Sequence, residues 1–91
     1  MPAAVRDNAA RHRYELEVEG HVAFAEYGLA AGVITFVHTV VPKELGGRGV
    51  GSTLARGALD DVRRRGLKVV AECPFIKAFM DKHAEFNDLL G

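Results

Sequence analysis

The sequence predicts an α+β fold, a mixed and mostly antiparallel sheet with one β-α-β crossover and a short C-terminal helix. Three stretches carry this. Arg13 to Val18 alternates Tyr14, Leu16 and Val18 with Glu15 and Glu17, the pattern of a strand with one dry and one wet face. Gly32 to Val41 is β-branched and apolar on both parities. Gly49 to Arg65 places Val50, Leu54, Ala55, Ala58, Leu59 and Val62 on one helical stripe, and a short apolar run, Leu67 to Glu72, follows it. A helix between two buried strands requires those strands to be parallel neighbours.

Residues 1–12 mix small, polar and charged types without an apolar period, which predicts a mobile N-terminal arm ahead of a single domain over 13–91. After the first strand, Glu19-Gly20 marks a tight turn, and His21 to Tyr27 forms the second strand. The small residues of Gly28 to Gly32 supply the next turn. The strand from Gly32 to Val41, apolar on both parities, is expected to be central and covered on both faces until Pro42 ends it. Gly66 stands where a helix C′ residue is wanted, and Arg63, Arg64 and Arg65 before it place positive charge at the negative end of the helix dipole. Cys73-Pro74 breaks the fourth strand, and Phe75 to His83 reads as a short helix with Phe75, Phe79 and Met80 inward. Phe86, Leu89 and Leu90 dock the tail.

Composition narrows the function. Twelve basic and twelve acidic residues cancel, removing the general attraction on which non-specific nucleic-acid or anionic-membrane binding depends. No apolar run reaches the ~20 residues of a membrane helix, so a cytoplasmic location is expected. The lone Cys73 excludes an intrachain disulfide and a multi-thiolate zinc site, and His12, His21, His38 and His83 contain no i,i+4 pair for a helical metal site.

The most specific signal is Leu45-Gly46-Gly47-Arg48-Gly49-Val50-Gly51-Ser52, a glycine-rich turn between a strand and a helix. Glycines let the backbone approach a bulky anion, and the unpaired N–H groups of the helix's first turn point at it. A plain tight connection is the other reading of the same residues. A P-loop is ruled out because Ser52 follows Gly51 with no intervening lysine. A dinucleotide fingerprint fails because Ser52 stands where its third glycine is needed.

Gly47-Arg48-Gly49-Val50-Gly51 resembles the pyrophosphate-binding motif of the GCN5-related N-acetyltransferases, in which Gln or Arg and two variable residues precede Gly, one variable residue, and Gly or Ala. Gly49 and Gly51 match, whereas Gly46 stands at the leading Gln or Arg position. Arg13-Tyr14-Glu15-Leu16, Phe36-Val37-His38-Thr39, Cys73-Pro74-Phe75 and His83-Ala84-Glu85-Phe86 look like signatures of the small, single-domain branch of that superfamily. The branch often has an acidic residue where this chain has Val40, and proline where it has Ala84.

The resemblance implies a compact fold of that family, with acetyl-CoA as cosubstrate and an amine acceptor, protein or small molecule. It places the cofactor against Val40, Val41, Gly47, Arg48, Gly49, Val50, Gly51 and Ser52, with the pantetheine arm between parting strands at 33–41 and 68–72. It also makes His38 and Cys73 the catalytic candidates, as proton acceptor and as a thiol near the thioester. Their surroundings leave other roles open. His38 shares parity with Ile34, Phe36 and Val40, as a core histidine would, and free cysteines are commonly buried and inert. The expected partners are acetyl-CoA and the acceptor, with no nucleic acid and no membrane, and the expected state is a monomer or weak homodimer. An acyl-CoA-binding or interaction module with little catalytic activity is the alternative.

Overall fold

The computed structural model describes residues 4–90. Five strands form one sheet in the order β1-β2-β3-β4-β5: Arg6–Asn8 (β1), Arg13–Val18 (β2), His21–Ala30 (β3), Val33–Val40 (β4) and Lys68–Ala71 (β5). The first four run antiparallel to their neighbours, and β5 lies parallel to β4. The fifteen-residue helix α1 (Val50–Arg64) makes the crossover, and α2 (Pro74–Lys82) follows β5. The α+β architecture with a single β-α-β crossover is therefore the one expected.

Both hairpins turn on two residues with positive φ, Glu19-Gly20 and Ala31-Gly32. Such turns match the right-handed twist of the strands they join. Because Ala31-Gly32 does the turning, β3 extends to Ala30, and Gly28 pairs with Thr35 inside the strand instead of belonging to the turn.

The helices cover one face of the sheet. Tyr14, Leu16, Ala23, Ala25, Tyr27, Ile34, Phe36 and Val69 point into a core closed by Leu54, Ala55, Ala58, Leu59 and Val62 of α1 and by Ile76, Phe79 and Met80 of α2. The opposite face is open. Val22, Val70 and Val37 are exposed there, Val37 at 46%, so β4 is not covered on both faces.

A β-bulge explains the misleading pattern. Tyr27 pairs with Phe36 but Glu26 pairs with His38, leaving Val37 as the extra residue. One inserted residue reverses the facing of everything beyond it. Ile34 and Phe36 face the helices before the bulge, and Thr39, opposite the buried Ala25, does so after it.

Met1 to Ala3 lie outside the described residues, but Arg6–Asn8 pair with Arg13–Glu15 as the edge strand β1. Tyr27 donates its hydroxyl proton to Asp7 at 2.5 Å, and Tyr14 donates to Asp61 of α1 at 2.6 Å. Arg65 donates to both Asp7 and the Tyr14 oxygen at 3.1 Å, tying β1 to the end of the helix. Val5 lies against Gly57, where a Cβ would collide with it.

This network has a consequence at high pH. Burial, then the hydrogen bond to Asp7 and its negative charge, push the Tyr27 phenol up to about 12, and burial with the Asp61 bond raises Tyr14 as well. A phenol raised on folding stabilises the protein fully below its unfolded value, and that contribution disappears as pH rises through the folded value. Urea midpoints should therefore hold steady up to pH 10 and fall between pH 10 and about 12, with a shallower fall in Tyr27→Phe. An unchanged slope in the variant would remove Tyr27 from the explanation.

Candidate functional site

The site starts where the two parallel strands part. β4 and β5 are paired from Val33–Lys68 to Phe36–Ala71, and the amides of Glu72 and Cys73 both donate to the Phe36 carbonyl, at 3.0 and 2.9 Å. Beyond Phe36, the edge of β4 that faced β5 pairs with no strand among the described residues. Main-chain donors and acceptors there are available to an extended, amide-bearing ligand.

The glycine turn stands beside this slot. Pro42 ends the strand, a 3-10 turn over Lys43–Leu45 seats the buried Leu45, and Gly47 and Gly49 take φ values of 78° and 69°. Left-handed backbone at these two positions favours glycine over any residue with a Cβ. Gly49 caps α1 without a side chain, so the first-turn amides of Val50, Gly51 and Ser52 carry no side-chain cap. A cleft of about 270 Å3 opens over this turn, lined by Val41, Gly47, Gly49, Gly51, Ser52 and Phe75 among others.

Gly51 has a separate role. A Cβ there would meet the Phe75 ring at 2.7 Å, so the missing side chain lets Phe75 lie over the loop. Phe75 is 40% exposed and forms the apolar wall of the cleft instead of entering the core. The sequence reading placed it inward. A preceding Cys73-Pro74 at the helix start was the available signal, because it puts Phe75 on the first turn of α2, beside the first turn of α1.

Of the other expected cofactor residues, Arg48 faces solvent and pairs with Glu19 of the β2–β3 turn at 2.7 Å. Exposed pairs of this kind contribute little, so the guanidinium can exchange Glu19 for another anion at small cost. Val41 lines the cleft. Val40 lies opposite Phe24 on the open face, and only its backbone belongs to the free edge of β4.

The bulge separates the two catalytic candidates. His38 stands on the open face, exposed and directly across from Glu26, instead of sharing a face with Phe36. Cys73 is 3% exposed on the helix side, with its sulfur 3.2 Å from Thr39 Oγ1. They therefore flank the slot from opposite faces of the sheet, and the thiol's side-chain partner is Thr39. Thr39, which the sequence reading passed over, reaches Cys73 only because the bulge turns it inward.

A family model described as GCN5-related N-acetyltransferase matches residues 13–89. The chain belongs to the GCN5-related N-acetyltransferases. The solution structure of a "GCN5-like putative N-acetyltransferase" from Staphylococcus aureus superposes on it with a TM-score of 0.72 at 27% identity, over 96% of this chain and 86% of that one. No curated protein matches the chain. In this family member, no described helix is long and apolar enough to cross a membrane.

The turn and slot of this family member offer main-chain donors and acceptors to an anionic, amide-bearing ligand. The turn supplies three amides without a side-chain cap and two positive-φ glycines, and beside it lies the free edge of β4.

Proposed function

We propose that the chain transfers an acetyl group from acetyl-CoA to an amine that approaches over the helix-free face of the sheet. The observation that carries this reading is the parting of β4 and β5 beyond Phe36–Ala71, with the uncapped start of α1 on one side and His38 on the other. The first-turn amides of Val50, Gly51 and Ser52, with Arg48 at the rim, hold the pyrophosphate, and Gly47 makes the turn. The free edge of β4 over residues 37–41 takes the amide groups of the pantetheine arm as a surrogate strand.

A bound acetyl thioester would supply an activated carbonyl carbon, at which a C–N bond forms as the C–S bond breaks and CoA leaves as a thiolate that takes a proton from water. His38 accepts the proton released by the amine nitrogen on its imidazole ring. Val40 offers no carboxylate for a longer proton relay, so His38 passes the proton directly to water. Cys73 closes the slot from the helix side as a buried wall held by Thr39.

Ser52→Glu tests the cofactor site. Position 52 is exposed, and a carboxylate in the first turn of a helix favours that helix, so the variant stays folded. Calorimetric titration with acetyl-CoA should show saturable binding by the native chain and at least about tenfold weaker binding by the variant, because like charges would meet at the amides. Absence of binding by the folded native chain, or equal binding by both, would overturn the reading. Val40 in place of an acid favours a second reading, a donor-binding module with little chemistry, and saturable binding without turnover on a broad panel of primary amines would select it.

A further inference from the structure

The bulge in β4 decides which side chain meets Glu26. Tyr27 pairs with Phe36, so an unbroken ladder would set Glu26 opposite Val37; the inserted residue sets His38 there instead. Bulges re-aim side chains in this way, at the cost of regular pairing around them. Glu26 is half-buried and lies between the buried Ala25 and Tyr27 along β3, so its side chain stands on the open face with that of His38. Directly opposed residues of an antiparallel pair hold their Cβ atoms about 4.5–5.5 Å apart, which puts a glutamate carboxylate within reach of an imidazole on the next strand. The cation on the other side of Glu26 is engaged elsewhere. Arg13 opposes Glu26 from β2, but its Nε donates to Glu15 at 2.6 Å and its guanidinium lies 4.2 Å over the Phe24 ring.

We propose that Glu26 is the positioning residue of His38, its carboxylate accepting a hydrogen bond from one ring nitrogen so that the other is aimed at the incoming amine. The proposal rests on the acetyl-transfer reading and adds to it the group that orients the proton acceptor. An exposed histidine on a sheet face turns freely about its side-chain bonds, and a carboxylate bonded to one ring nitrogen fixes both the ring's orientation and the nitrogen that carries the proton. The contact strengthens at the moment it is needed. When His38 takes the amine proton the ring becomes an imidazolium, and the hydrogen bond to Glu26 then joins two opposite charges. Glu26 stays ionised throughout: the proton moves from the amine nitrogen to the free ring nitrogen and from there to water. The bulge therefore serves the chemistry twice, by keeping His38 out of the core and by giving it a carboxylate for a neighbour.

Steady-state kinetics on the full chain, with a panel of primary amines, test this together with spectra of the His38 ring. Glu26→Gln keeps the side chain's length and removes its charge, and should lower kcat about tenfold, the value of one charge-assisted hydrogen bond, with the KM values for acetyl-CoA and amine unchanged. Glu26→Asp should recover part of the rate. Adding Glu26→Gln to His38→Ala should cost nothing further, because a residue that acts through His38 has no effect without it. Glu17→Gln, which removes an exposed carboxylate of the same face across from Val22, should leave kcat and both KM values unchanged. Proton–nitrogen correlation spectra in mildly alkaline solution should show the His38 ring as one tautomer in the native chain and as a mixture of two in Glu26→Ala. Full kcat in Glu26→Gln, a raised amine KM in its place, an undiminished loss in the His38→Ala background, or identical ring spectra would overturn this proposal and leave acetyl transfer standing. Failure of the folded native chain to acetylate any amine of the panel would overturn both.

Discussion

Replacing His38 with alanine should lower kcat for acetyl transfer by roughly 10²–10⁴-fold near neutral pH while leaving the Kd for acetyl-CoA unchanged. The split follows from position. The His38 side chain lies on the open face across from Glu26 and does not line the cleft over the glycine turn, so under the proposed function its loss removes a proton acceptor and no binding side chain. The variant's residual rate should climb with pH as the acceptor deprotonates in solution, which is the signature of a missing base. Cys73→Ala should change kcat by less than about tenfold, because a sulfur 3% exposed and held against Thr39 serves as a wall. Intact-mass measurement after mixing the native chain with acetyl-CoA alone should show no added acetyl group. An adduct on Cys73, together with loss of turnover in Cys73→Ala, would replace direct transfer with a thiol-borne route.

What the sequence made legible was local. The alternation of Tyr14, Leu16 and Val18, the stripe on α1 and the glycine turn each depend on neighbours a few residues apart, and each lies where expected. The hairpin at Ala31-Gly32 was harder, because alanine is an unusual residue at positive φ and Gly28 offered a more conventional turn. β1 was missed because a three-residue edge strand has no period to detect. Its anchors are a tyrosine 20 residues away and an arginine 58 residues away in sequence. The bulge concealed most of the site: alternation continued in register through residue 37 puts His38 with the core, whereas one inserted residue puts it on the open face and turns Thr39 toward Cys73.

That inserted residue can be tested through stability and thiol reactivity. Phe36 is fully buried, its ring packs at 6.2 Å from Tyr14 and 6.4 Å from Tyr27, and its carbonyl receives the last two amides before β4 and β5 part. Phe36→Ala should cost about 3–5 kcal/mol, through lost burial and a cavity the surrounding sheet cannot fill. A chain of this size has roughly 5–14 kcal/mol to lose, so the melting temperature should fall by at least about 12 °C. Val37→Ala, one residue on but at the bulge and facing water, should change stability by less than about 0.5 kcal/mol. Thr39→Val then completes the argument, since Thr39 sits on the helix side only if the bulge is present. Removing its hydroxyl takes away Cys73's side-chain partner while keeping the volume, and alkylation of Cys73 by iodoacetamide should become faster in the folded protein. If Val37→Ala proved as damaging as Phe36→Ala, and Thr39→Val left the thiol as protected as before, β4 would run without a bulge. His38 would then return to the core, and the proton acceptor would have to be sought elsewhere on the slot.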